Sequence, residues 1–153
     1  MGGIGKTTLA QLVYKDPRVK EHFDLKAWVS VSDEFDVFRV TKTVLEGVDS
    51  STSVESKNLN LLQVTLQDKL MGKKFLLVFD DVWNENYVDW EILSNPLKSG
   101  AQGSTIIVTT CNDGVASIMR AVSTHRLKTL LEEHCWSLFA KHAFHDGNPD
   151  ARR

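Results

Sequence analysis

The chain has 153 residues, 42% hydrophobic and 25% charged, a composition that fits one ordinary soluble globular domain and excludes a disordered or fibrous chain. Eighteen basic against twenty acidic residues leave a formal net charge of -2, so no global positive field draws the chain to nucleic acid or anionic lipid, and any phosphate binding has to be local. Two cysteines, Cys111 and Cys135, exclude a disulfide scaffold and point to a reducing compartment, the cytosol.

The chain opens on Gly2-Gly3-Ile4-Gly5-Lys6-Thr7-Thr8, followed by Leu9, Leu12 and Val13 at helical spacing, and Asp16-Pro17 closes that helix. Residues 27–31 (AWVSV) read as a strand. Val37, Val40, Val44 and Val48 mark a second helix with Asp36 as its N-cap. The polar, serine-rich run 49–57 is a surface loop. Leu59, Leu62, Leu66 and Leu70 mark a third helix, ending at Gly72. Residues 75–79 (FLLVF) and 105–109 (TIIVT) are two more strands. All three strands are short and mostly continuous in apolar character, which predicts central strands covered on both faces. Near the end Cys135, Leu138, Phe139 and Ala143 share a helical face, and Gly147-Asn148-Pro149 breaks it. Strands alternating with helical stretches predict an α/β fold with a parallel sheet. No apolar run approaches the ~18 residues of a membrane span, and nothing at the N-terminus reads as an export signal.

The glycine-rich start carries the second half of G-x-x-x-x-G-K-[ST] directly before a helix. Such a loop turns its backbone N–H groups inward around phosphate oxygens, with dihedrals that a Cβ would forbid. Lys6 would reach the β- and γ-phosphates, Thr7 would set its hydroxyl on Mg²⁺, and the helix N-terminus would add its dipole. Gly2, Gly3, Ile4, Gly5, Lys6, Thr7 and Thr8 are therefore the candidate nucleotide ligands. The motif's first glycine would fall one position before Met1, and the preceding strand is absent too, as truncation would produce.

Asp80 and Asp81 end the most apolar strand, where open α/β sheets bind their ligands. Asp80 is expected to hold Mg²⁺, and Asp81 to orient or deprotonate the water that attacks the γ-phosphate, with Lys6 as the second catalytic group. Trp83 reads as a packing residue, and Trp28, Trp90 and Trp136 as core or edge packing. His134, Cys135, His142 and His145 do not make a zinc set, because His134 and Cys135 diverge by about 100° on a helix. Lys69, Lys73 and Lys74 flank a helix end, where cations complement the dipole, so no direct nucleic acid partner is expected.

Five blocks in order resemble one family, the NB-ARC nucleotide-binding domain of plant immune receptors, which is related to animal apoptosis activators. GGIGKTTLA is similar to its phosphate loop, residues 23–40 to the block after it, FLLVFDDVW to its acidic strand, residues 103–110 to its fourth strand, and residues 127–144 to the start of its small helical subdomain. Trp83 and the AWVSVS block resemble the coiled-coil, non-TIR type. The resemblance implies a P-loop NTPase three-layer fold lacking its first strand, with residues 1–126 as the nucleotide-binding subdomain and 127–153 opening the helical one. It implies an ATP/ADP switch with Mg²⁺ and slow hydrolysis, Thr110 among the nucleotide contacts, and a cytoplasmic receptor. Coiled-coil and leucine-rich-repeat domains would be intramolecular partners, and the receptor would self-associate.

The sequence departs from the family's Thr-Thr-Arg at the end of the fourth strand, where Cys111 replaces the arginine that senses the γ-phosphate. A thiol has neither the charge nor the donor fork of arginine, so poor ATP/ADP discrimination or slow hydrolysis is expected unless Arg120 or Arg126 supplies the charge. The chain also ends before the family's Gly-Leu-Pro-Leu and Met-His-Asp blocks. Two alternatives stay open: a nucleotide-free resistance-gene remnant, suggested by the absent strand and Cys111, and a metabolic P-loop phosphotransferase, which would need an arginine-bearing lid. A GTPase would require Asn-Lys-x-Asp where Cys111-Asn112-Asp113-Gly114 stands.

Overall fold

The structure, a computed structural model, describes residues 5–31, 34–51, 55 and 57–127. Gly2, Gly3, Ile4 and the helical stripe from Cys135 to Ala143 lie outside the described residues, as do Trp136, His134, His142 and His145. Residues 5–124 form one compact unit.

Helix α1 (Lys6–Lys15) ends at Asp16, which is extended at φ -63° and ψ 129°, as a residue before proline prefers. The same aspartate caps α2 (Pro17–His22), accepting from Arg18 N at 2.8 Å. Asp16-Pro17 thus closes one helix and opens another, and the six residues of α2 are too few for a periodic signal.

Strands β1 (Leu25–Ser30), β2 (Phe75–Asp80) and β3 (Thr105–Val108) form a parallel sheet in the order β1-β2-β3. Leu25 pairs with Phe75 and Ser30 with Asp80, while Leu76 pairs with Thr105 and Phe79 with Val108. The strand ends carrying Ser30, Asp80 and Val108 therefore share one edge of the sheet.

Side-chain alternation divides the helices between two layers. Ala27, Val29, Phe75, Leu77 and Phe79 join the core with α3 (Val37–Val48), α4 (Leu59–Leu70) and α5 (Tyr87–Leu97). Lys26 and Trp28 point the other way and meet α1: Tyr14 lies edge-on to Trp28 at 5.6 Å, and Lys26 Nζ donates to Tyr14 O at 2.7 Å. The result is a three-layer α/β sandwich. Gly47 of α3 sits where an added Cβ would come within 2.7 Å of Ala27 Cβ, so the missing side chain sets how closely α3 approaches β1.

Only β2 is central. All six of its residues are buried, whereas β1 is half-buried and Ile106 of β3 is 39% exposed. Among the described residues β1 and β3 each have β2 as their one neighbour, so the coverage on both faces expected of all three strands is seen for β2. The helix starts follow side-chain chemistry: Asp36, Asn58, Asn86 and Asn112 each accept from backbone N–H groups of α3, α4, α5 and α6 (Asp113–Ile118), satisfying donors that a helix cannot pair itself.

Candidate nucleotide site

The N-terminus of α1 and the C-terminal end of β2 meet at the sheet edge. Gly5 precedes α1 in the left-handed conformation (φ 89°, ψ 15°) with no side-chain cap, a backbone that glycine adopts without penalty. From the first turn Thr7 Oγ1 donates to Asp80 Oδ1 at 2.8 Å. Thr8 is half-buried beside it. Lys6 Nζ donates to Cys111 Sγ at 3.2 Å. Residues 105 positions apart in sequence are thereby joined across the site.

The two aspartates diverge. Asp80 is 7% exposed and turned inward, where Thr109 Oγ1 donates to the same Oδ1 at 2.5 Å. Asp81 has left the strand at φ 60° and is exposed, a left-handed conformation that aspartate tolerates better than most residues. Its backbone N–H donates to Thr109 Oγ1 at 2.8 Å. Its carboxylate accepts from Trp83 Nε1 at 3.0 Å. Trp83 is 49% exposed, so the reading of this residue as packing is corrected: its indole N–H engages Asp81. Trp90 does pack, buried against Phe35 and Phe79.

Thr110 Oγ1 donates to Val82 O at 2.5 Å and accepts from Asn112 N at 3.0 Å. Its hydroxyl thus secures the loop, while the neighbouring Thr109, which the sequence reading left aside, reaches the acidic pair. Arg120 donates to Tyr87 Oη at 3.2 Å and lies over that ring.

The donor set fits a hard divalent cation. Thr7 and Asp80 offer a hydroxyl and a carboxylate oxygen 2.8 Å apart, the oxygen chemistry that Mg²⁺ takes. Among the described residues no three His, Cys, Asp or Glu side chains cluster as an all-protein metal cage. A cation held by so few protein oxygens completes its shell with water and phosphate. Gly5, the uncapped start of α1 and the Lys6 ammonium fit that phosphate.

A parallel α/β sheet with a glycine-led helix and a buried aspartate meeting at its carboxyl edge defines the P-loop NTPase class. The chain matches the NB-ARC domain over residues 1–148 and belongs to the NB-ARC family. It is 50% identical to an RPP13-like disease resistance protein of Arabidopsis thaliana over all of this chain and 15% of that protein. It is 45% identical to the disease resistance protein RGA2 of Solanum bulbocastanum over 94% of this chain and 15% of that one. The chain thus spans about 15% of the length of these relatives. No helix among the described residues is long and apolar enough to cross a membrane.

Proposed function

We propose that this chain is the core of an ATP/ADP switch in a cytoplasmic plant immune receptor of the coiled-coil type. Residues 1–126 are its nucleotide-binding subdomain and 127–153 the opening of the adjoining helical subdomain. The observation that carries the reading is the 2.8 Å bond from Thr7 to Asp80, which unites the phosphate loop with the acidic strand end.

In this reading Gly2, Gly3, Ile4, Gly5 and Thr8 line the phosphates with backbone N–H groups, and Lys6 supplies the charge. Thr7 and Asp80 hold Mg²⁺, which when bound neutralises charge on the phosphate oxygens. Asp81 orients the attacking water from the exposed side of the pair. Turnover is slow because Cys111 supplies no cation, so binding and exchange dominate the behaviour. Coiled-coil and leucine-rich-repeat domains of the same receptor would read the nucleotide state, and the active receptor would self-associate.

The nucleotide-free remnant is the second reading, favoured by the Lys6–Cys111 bond at 3.2 Å, which gives the lysine a partner within the protein. Calorimetric titration with ADP separates the two. The switch predicts saturable binding that Lys6→Ala weakens at least tenfold, and no heat from folded wild-type protein would favour the remnant.

A further inference from the structure

Thr109 is 6% exposed and its hydroxyl bonds both members of the acidic pair, accepting from Asp81 N at 2.8 Å and donating to Asp80 Oδ1 at 2.5 Å. A hydroxyl has one proton, a backbone N–H can only donate, and an ionised carboxylate can only accept. The direction of the relay is therefore fixed: the Asp81 N–H occupies a lone pair of Oγ1, and the single proton of Thr109 is left for Asp80. The backbone sets the place of that hydroxyl from both sides, because Thr109 N donates to Phe79 O at 3.0 Å and Val82 N donates to Thr109 O at 2.9 Å. Branching at Cβ narrows χ1 further. Asp80 Oδ1 then receives two hydroxyls, Thr109 from the residue just past β3 and Thr7 from α1.

We infer that Thr109 is a positioning residue of the cation site, its hydroxyl locking the Asp80 carboxylate in the rotamer that faces Thr7. This rests on the nucleotide-switch reading and goes beyond it by assigning cation affinity to a buried residue that acts through Asp80. Without that hydroxyl Asp80 keeps its position in β2 but loses one of the two anchors on Oδ1, and the Asp81 N–H loses its acceptor.

The test measures ADP affinity of the full-length protein by calorimetry, once in EDTA and once in Mg²⁺, for wild type, Thr109→Val and Thr109→Ser. Groups that hydrogen-bond to metal ligands are worth roughly 10- to 100-fold in metal affinity. The expected result is that Thr109→Val loses about tenfold of the Mg²⁺-dependent gain, keeps its affinity in EDTA, and that Thr109→Ser recovers most of the gain. A purely structural role would lower both affinities together. If Thr109→Val does not fold, Thr109→Cys carries the same measurement, since a thiol is a weak donor. A Mg²⁺ gain undiminished in the folded variant would overturn the inference and leave the switch reading standing. Absence of ADP binding in folded wild-type protein would overturn both.

Discussion

Lys6 Nζ stands 3.2 Å from Cys111 Sγ. Cys111, where the family resemblance leads one to expect a sensor arginine, thus faces the lysine of the glycine-rich start. Two unit charges about 4 Å apart repel by about 1–4 kcal/mol near a protein surface. An arginine at 111 would set a second cation near Lys6, a repulsion that a phosphate between them relieves. Cys111→Arg should therefore lower the thermal stability of nucleotide-free protein and raise the ATP/ADP affinity ratio. A charge-assisted hydrogen bond to the γ-phosphate is worth about 1.5–3 kcal/mol, at least tenfold in that ratio. Competition binding with ATP and ADP reads it, and an unchanged ratio would remove Cys111 from the account of discrimination.

Trp83 and Trp90 should respond oppositely to truncation. Trp90 is 5% exposed, lies between Phe35 and Phe79, and donates to Asn84 O at 2.8 Å, so Trp90→Ala should cost about 3–5 kcal/mol in urea denaturation. Trp83 is half exposed, and its alanine variant should stay within about 0.5 kcal/mol of wild type. A large loss at Trp83 would restore it to the packing residues.

Gly47→Ala tests the contact between α3 and β1. Alanine improves helix propensity by about 1 kcal/mol, but its Cβ would stand 2.7 Å from Ala27 Cβ. Overpacking of this kind costs about 1–3 kcal/mol. We expect net destabilisation in chemical denaturation, and a stabilised variant would mean that α3 shifts freely.

The link between α1 and α2 carries an acid-range signature. The side-chain hydrogen bond from Arg18, followed by the Arg18 backbone N–H, lowers Asp16 from 3.8 to about 2. A carboxylate depressed on folding contributes stability that is present above its unfolded value and is lost as pH falls through its folded one. The stability difference between wild type and Asp16→Asn should therefore shrink as pH falls from about 4 to about 2. Asparagine keeps an acceptor for the cap but does not titrate. A difference constant over that window would show that the carboxylate charge contributes nothing there.

The strands were legible because β2 is a continuous apolar run, and α3 and α4 because their buried residues recur at helical spacing, as at Val40 and Val44 or Leu62, Leu66 and Leu70. Lys6, Thr7 and Asp80 could be named because the motif spacing carries their chemistry. Helix α5 was hidden by exposed Tyr87 and Val88 at its start and Pro96 near its end. The choice between Thr109 and Thr110 was not available from two identical neighbours, since the end of β3 and its register with β2 decide which hydroxyl turns inward. Trp83 reads as packing in the sequence because its bond to Asp81 depends on the left-handed backbone at Asp81, between it and the strand.

The central claim is that this chain holds an adenine nucleotide through its phosphate loop. The most direct measurement is to purify the full-length protein beside its Lys6→Ala variant, denature both, and identify what is released by chromatography. The account predicts ADP in near-stoichiometric amount from wild type and little from Lys6→Ala. A folded wild-type protein that releases no nucleotide would contradict it.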